Sequence, residues 1–279
     1  MKHLPLLVLI LICHFSSAQE IYGSISGGYQ RMIQESQPPT RVVNSYHQIS
    51  DSWFYRRANL LFSQAIRTDV NFGHYFTKSV GYELSGSYFK PFDETTDDGY
   101  LNRQLTGQFY QVSFKILLRK QINKFDLYAK MGVNYVTGKM YFDQLFYTQD
   151  ETYSINEARM IYEYNDGAQW GFNGAMGVRY ALNDRLSIYG EFYSLFQPFT
   201  PARGQMTHHT YDDENAMQYS EDPYYSEIHF GDSQDNWYTS DDTSKPQKMY
   251  KRSHSLSGIG VNIGLTINIW SKKEDSEND

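Results

Sequence analysis

The stretch SGIGVNIGLTINIW, residues 257–270, places Ile259, Val261, Ile263, Leu265, Ile267 and Ile269 at every second position. Between them stand Gly258, Gly260, Asn262, Gly264, Thr266 and Asn268. A period of two is that of an extended strand, whose successive side chains point to opposite faces. One face is apolar and the other small or polar. Trp270 closes the strand and the charged run SKKEDSEND (271–279) follows it. In a chain of mean hydropathy −0.61, such a strand raises the question of what covers its apolar face.

The same division recurs upstream. In FDLYAKMGVNYV, Phe125, Leu127, Ala129, Met131, Val133 and Tyr135 alternate with Asp126, Tyr128, Lys130, Gly132 and Asn134. YQVSFKILL sets Tyr110, Val112, Phe114, Ile116 and Leu118 against Gln111, Ser113 and Lys115. QWGFNGAMGVRYAL sets Trp170, Phe172, Met176, Val178 and Tyr180 against Asn173, Ala175, Gly177 and Arg179. RLSIYGEFYSLF adds Glu191 to the polar face, and IRTDVNFGHYF and VGYELSGSYF add Arg67, Asp69 and Glu83. IYGSISGGYQ repeats the pattern more weakly. Eight strands are therefore expected, near residues 21–33, 65–77, 79–91, 107–119, 123–137, 168–182, 184–198 and 254–270.

The connections alternate in length. Long segments follow the first, third, fifth and seventh strands; TK, KQIN and ND follow the second, fourth and sixth. Long loops thus gather at one end of the sheet, tight turns at the other, with both chain ends on the turn side. An even number of amphipathic strands so connected is the plan of a closed, antiparallel up-and-down transmembrane β-barrel. In hydrocarbon every backbone N–H and C=O must be paired within the protein, so a spanning sheet has to close and leave no edge. The apolar positions then face lipid, and Trp170 and Trp270 are expected at the membrane interface. Ten strands are the alternative, if 139–164 enters the membrane.

The start of the chain fits export. MKH is a basic n-region, LPLLVLILICHF an apolar h-region, and Ser16-Ser17-Ala18 offers small residues for cleavage, so 1–18 reads as a signal peptide, 19–270 as the barrel and 271–279 as a polar periplasmic tail. Cys13, the one cysteine, falls within the signal. Ile12 before it is unlike the small residue that lipid attachment requires. After residue 18 no apolar run is long enough for a membrane helix. A net charge of −7 without a run of Lys or Arg argues against a nucleic-acid partner.

On these features the sequence resembles the small eight-stranded outer-membrane β-barrels of the OmpA, OmpX and OmpW type. The resemblance covers residues 19–270 and rests on patterning, loop asymmetry and the aromatic-ended last strand rather than on a residue motif. The polar residues after Trp270 depart from it. It implies an outer-membrane location and contact with outer-membrane lipid and lipopolysaccharide.

An eight-stranded barrel has an interior just wide enough for side chains to fill. The lumen charges are expected to be Arg67, Lys115, Lys130 and Arg179 against Asp69, Glu83, Asp126 and Glu191, a balance that suits a low-dielectric interior. Arg67 with Asp69 and Asp126 with Lys130 are expected as pairs along one strand. The competing reading is a narrow gated channel for a small solute, in which an Arg–Glu pair swaps partners.

Some barrels of this size are lipid A acyl-modifying enzymes that use a His with a Ser and an acid. His254, among Ser253, Ser255 and Ser257, is the nearest constellation. A strand brings base and hydroxyl together only at a spacing of two, whereas the neighbours of His254 at that spacing are Arg252 and Leu256. His208, His209 and His229 read as solvated loop residues. No catalytic residue is assigned, and no cofactor. The acid-rich last loop lacks the order of a dedicated calcium loop, so no metal is assigned. That loop interleaves Tyr211, Tyr219, Tyr224, Tyr225, Trp237 and Tyr238 with its acids, residue types suited to contact surfaces. The expected role is non-enzymatic: long extracellular loops that bind a protein, glycan or lipopolysaccharide partner, or that join the chain to a larger outer-membrane complex. KMYFDQLFY and RMIYEYNDG in the third loop alternate as strands do, so this hairpin is expected to extend the barrel wall and to offer an edge to a partner strand.

Overall fold

In the computed structural model the described residues are 20–33, 48–49, 52–53, 62–97, 101–149, 155–212, 214–217, 222–231, 243–250 and 253–271. The signal segment 1–18 and the tail beyond Ser271 lie outside them. In chain order the strands begin with β1 (Glu20–Met32), β2 (Gln48–Ile49), β3 (Ser52–Trp53), β4 (Gln64–Tyr75), β5 (Val80–Pro91) and β6 (Glu94–Asp97). There follow β7 (Leu101–Ile122), β8 (Phe125–Gln149), β9 (Ile155–Ala181), β10 (Leu186–Phe196), β11 (Pro198–Phe199) and β12 (Arg203–Tyr211). The last are β13 (Glu214–Asn215), a helical turn α1 (Pro223–Ser226), β14 (Glu227–Gly231), β15 (Gln247–Tyr250), β16 (His254–Ser255) and β17 (Gly258–Ser271).

Eight of these close into a ring of antiparallel neighbours. From β1 it runs through β4, β5, β7, β8, β9, β10 and β17, and β17 pairs back onto β1. The last strand thus meets the first, Gly264 opposite Ser26 and Gly260 opposite Gln30, which removes the sheet edge. Eight, not ten, strands form the ring.

Side chains obey the period of two. Along β17 the residues alternate between buried and exposed from Gly258 to Leu265. Ile263 is 67% exposed and Ile269 62%, and Met131, Val112, Leu118 and Phe192 face outward with them. A contiguous apolar wall of this size is foreign to a water-soluble monomer. Aromatic residues border it. Near the long-connection end Trp170 packs edge-on against Tyr135 (5.2 Å), and Tyr88 meets Tyr110 (5.4 Å). Near the tight-turn end stand Trp270 and the Phe125–Tyr180 pair (5.0 Å). From Trp170 to Tyr180 is about 33 Å of strand, which at a tilt of about 40° spans about 25 Å, the height of an outer-membrane apolar band.

Two of the tight turns are held by their own side chains. Thr77 Oγ1 accepts the N–H groups of Ser79 and Val80, and Asn183 Oδ1 those of Arg185 and Leu186. Between β7 and β8, Asn123 adopts φ 56°, a conformation Asn tolerates well.

At the other end β7, β8 and β9 continue far beyond the aromatic border, so the expected wall extension is present and the strands are longer than the sequence pattern suggested. A register shift between Gly138 and Met140 marks where the β8–β9 ladder leaves the membrane zone, as bulges commonly do at barrel rims. The edge offered by β9 above that point is not open. β12 takes it, from Arg203 opposite Asn165 to Tyr211 opposite Ala158, β14 follows, and β15 adds in parallel. The last connection therefore covers the edge that was expected to receive a partner strand. Its first part had pattern enough to pair, and an unpaired row of N–H and C=O groups favours whatever strand is nearest.

Candidate functional site

All eight predicted lumen charges point inward, seven of them buried and Asp126 half-buried. They are layered along the barrel. Nearest the tight turns, Arg119 pairs with Glu20 and lies 3.7 Å from Asp126, while Arg179 Nη1 is 3.2 Å from Glu20 and 3.9 Å from Asp126. The Arg119 guanidinium sits 3.7 Å over the Tyr75 ring and that of Arg179 4.5 Å over Tyr22, stacking that a planar cation favours.

One layer further in, Glu83 is wholly buried and receives four donors: Lys115 Nζ at 3.1 Å, Lys130 Nζ at 3.1 Å, the Tyr22 hydroxyl at 2.7 Å and the Ser85 hydroxyl at 3.3 Å. Lys130 also reaches Glu191 at 3.0 Å. Glu191 further accepts from Tyr128 (3.1 Å) and from Asn262 Nδ2 (3.0 Å), which also donates to Asp69 (3.1 Å). Arg67 Nε bonds Asp69 at 2.7 Å and its Nη2 bonds Ser87 at 2.7 Å. The chain is continuous from Lys115 through Glu83, Lys130, Glu191, Asn262 and Asp69 to Arg67. Buried carboxylates accept such a site only when their oxygens find donors, and each oxygen of Glu83, Glu191 and Asp69 has at least one.

Of the two expected same-strand pairs, Arg67–Asp69 forms and Asp126–Lys130 does not. Two residues of strand span about 7 Å, which an Arg side chain bridges; four span about 13 Å, beyond any ion pair. Asp126 turns instead to Arg119 and Arg179, and Lys130 to Glu83 and Glu191. Glu20 and Arg119, one of each sign, were not anticipated because they flank the alternating windows. Nor was the inward Tyr22; Tyr128, Tyr189 and Tyr193, on the polar side of the alternation, turn inward with it, and these rings lie over glycines on neighbouring strands: an added Cβ at Gly73 would run into the Tyr22 ring, and one at Gly260 would sit 2.5 Å from Tyr193 Cζ.

Beyond the charges the interior turns apolar. Phe89, Phe109, Val136, Met140, Phe199, Ala65 and Leu256 are completely buried in one cluster with Met32, Phe62, Leu105 and Phe142. Phe109 stacks on Phe89 (5.1 Å) and meets Phe199 (5.0 Å) and Phe62 (6.0 Å) edge-on. Below it a band of amides, with Gln30, Asn134 and Gln197 fully buried, joins plug to charges; Gln30 Nε2 bonds the Leu256 carbonyl at 2.9 Å and Gln197 accepts from Asn134. The interior is thus filled from both ends.

The surface above the membrane zone carries ion pairs. Lys139 meets Glu163 at 2.6 Å, Arg159 meets Asp143 at 2.6 Å and Arg203 meets Asp166 at 3.6 Å. The hydrogen bond from Lys139 holds the Glu163 carboxyl below its usual range, and burial pushes the Tyr162 phenol up to about 12. Burial, then the neighbouring His208, lowers the His209 imidazole. Tyr211 is exposed at the end of β12, and the backbones of Tyr224 and Tyr225 form α1. Tyr219, Trp237 and Tyr238 lie outside the described residues. His254 pairs with Phe199 in the short β11–β16 ladder, Ser257 Oγ accepts the Gln197 N–H at 3.0 Å, and Ser255 Oγ accepts the Ser257 N–H at 3.3 Å.

Closed ring, lipid-facing wall, paired aromatic borders and polar interior together define an integral outer-membrane β-barrel of eight strands. No family model and no curated protein matches the sequence. Among solved structures the chain is similar to the outer membrane protein OprG from Pseudomonas aeruginosa, at 10% identity over 90% of this chain and 97% of that one, with TM-score 0.44. It is also similar to Ail, the attachment invasion locus protein of Yersinia pestis, at 9% identity over 90% and 98% (TM-score 0.35). CarO of Acinetobacter baumannii matches at 11% identity over 74% and 95% (TM-score 0.33).

Proposed function

We propose that this barrel does not conduct and does not catalyse, but serves as a rigid base for an extramembrane sheet that binds a protein or glycan partner outside the cell. The observation that carries this reading is the apolar plug around Phe109, which lies across the interior at the mouth where the extended strands begin. A conduit needs continuous water, and fully buried Phe89, Phe109, Phe199, Met140 and Leu256 are residues that exclude it. The same plug supports β7, β8 and β9 as they rise out of the membrane zone, and β12, β14 and β15 widen them into a broad sheet. Structure carried on such a scale above a small barrel is the part that varies freely with use.

In this reading the long-connection end faces outward and both chain ends face the periplasm, the arrangement usual for such barrels, with 1–18 removed on export. Exposed Tyr211 and the aromatic, acid-rich remainder of the last connection supply the contact residues.

Conductance tests it. The mature chain, folded in detergent and added to a planar bilayer, is expected to stay silent, as are Glu191→Gln and Arg179→Gln, while all three show the heat-modifiable gel migration of a folded barrel. Discrete current steps that change in those variants would make the lumen the working site and overturn the proposal in favour of a gated channel.

A further inference from the structure

The polar residues that follow Trp270 have no counterpart in the barrel plan, and their charges are ordered along the chain. Lys272 and Lys273 come first, then Glu274, Asp275, Glu277 and Asp279. They lie outside the described residues, whereas the surface they leave from is described. That surface is basic. The tight turns expose Lys78 between β4 and β5, Lys120 and Lys124 around the β7–β8 turn, and Arg185 beside Asp184 between β9 and β10. Glu20 and Asp126, in the mouth itself, are committed to Arg119 and Arg179. Among the described residues Lys120, Lys124 and Arg185 pair with no carboxylate. In a chain of net charge −7 this end has the opposite sign.

Ring order sets the distances. The end of β17 lies beside the β9–β10 turn: the Asn268 N–H donates to the Arg185 carbonyl at 2.8 Å, and Asn268 Nδ2 to the Asp184 carbonyl at 3.4 Å. The β7–β8 turn stands half the ring away from β17. Eight strands about 4.8 Å apart, at a tilt of about 40°, close a ring about 16 Å across. At about 3.3 Å per residue, Glu274 reaches about 10 Å from Ser271, Glu277 about 20 Å and Asp279 about 26 Å. The two lysines of the tail therefore start beside Asp184, and its acids extend over the mouth as far as Lys120 and Lys124. One exposed ion pair is weak, but four acids tethered to this end meet its cations at high effective concentration.

We propose that the occupant of this basic surface is the chain's own tail: residues 272–279 run back as a strap across the turn-side mouth, Lys272 and Lys273 beside Asp184, Glu277 and Asp279 on Lys120 and Lys124. The strap goes beyond the role assigned to the loops and depends neither on their partner nor on which way the barrel faces. It covers the mouth that holds Arg119, Arg179 and Asp126, at the end opposite the apolar plug.

The test is zero-length carbodiimide coupling on the folded, full-length mature barrel in neutral detergent, with light and heavy-isotope protein mixed and the products read by mass spectrometry. Links within one chain, from Glu277 or Asp279 to Lys120 or Lys124, are expected at low salt. They are expected to fade at about 1 M salt, where the screening length shortens to about 3 Å. Amine acylation gives the second readout. Lys120 and Lys124 are expected to react about fivefold more slowly in the unaltered protein than in the variant Glu274→Gln, Asp275→Asn, Glu277→Gln, Asp279→Asn, while Lys90 at the other end reacts alike in both. Heat-modifiable migration shows that both proteins are folded. Absent links, or equal acylation in the two proteins, would overturn the proposal; so would links found only between light and heavy chains, which would place the tail on a neighbouring copy. Phosphatidylglycerol vesicles supply the last arm: equally slow acylation of the two proteins there would assign these lysines to lipid phosphate and sink the strap as well.

Discussion

Lys130 grips both oxygens of Glu83 inside the barrel, its Nζ 3.2 Å from Oε1 and 3.1 Å from Oε2, and no part of Glu83 reaches solvent. Among the described residues Glu83 is the one acid paired with two buried lysines. Glu83→Gln leaves Lys115 and Lys130 short of a counter-charge and is expected to destabilise the barrel by about 3–5 kcal/mol. Glu191→Gln is expected to cost less, because Lys130 keeps Glu83. Urea midpoints of the folded variants in lipid vesicles measure the order; a larger loss for Glu191→Gln would show that the Asn262–Asp69 branch dominates the network.

Gly73 faces inward under the Tyr22 ring, and the three nearest neighbours of a Cβ added there belong to that phenol. Gly73→Ala alone is expected to cost about 1–3 kcal/mol by overpacking. Tyr22→Leu alone costs stability too, because it takes a 2.7 Å hydrogen bond from Glu83. The double variant is expected to be more stable than the sum of the single losses, by the clash it no longer contains. Strict additivity in the same urea assay would mean that the ring moves aside freely and that the contact constrains nothing.

Phe109 is completely buried at the centre of the apolar plug, in ring contact with Phe89, Phe199 and Phe62. Phe109→Ala removes the residue all three share and is expected to cost about 3–5 kcal/mol. Outward Phe114, 49% exposed to lipid, offers the contrast: Phe114→Ala leaves no cavity and is expected to cost much less. Comparable losses for the two would mean that the plug is loosely packed.

The plug also marks the limit of what the sequence makes legible. Within the membrane zone one face must meet hydrocarbon and the other a narrow interior, so alternation survives in the chain and the eight strands and eight of the interior charges can be read from it, Glu20 and Arg119 at the ends of the windows escaping. Past the aromatic border both faces need apolar cover. Phe89 then follows outward Tyr88, and Phe109 precedes outward Tyr110, so the period of two dissolves into SYF and QFY. Partner choice inside the barrel is equally hidden, because Asp126 finds Arg119 and Arg179 through cross-strand register that no single strand encodes. The β12 cover over β9 escapes for a third reason: its pairing joins residues some forty to fifty apart, with a register shift between Met206 and His208 on the way.

That β12 segment carries the last prediction, since it holds His208 and His209 side by side above the membrane zone. His208 is exposed; His209, half-buried opposite Met160, has its imidazole lowered by burial and then by the charge of His208. A base whose pKa falls on folding binds fewer protons folded than unfolded. Its contribution to β12 docking is therefore complete above the ordinary imidazole value of about 6.5 and is lost as pH falls from there through the lowered value. Ring chemical shifts in a pH titration of the micelle-bound protein are expected to give His209 a midpoint below the ordinary imidazole value of about 6.5, and His208→Gln is expected to raise it. A His209 midpoint at or above about 6.5 would mean that the ring is hydrated and that acid does not loosen this strand.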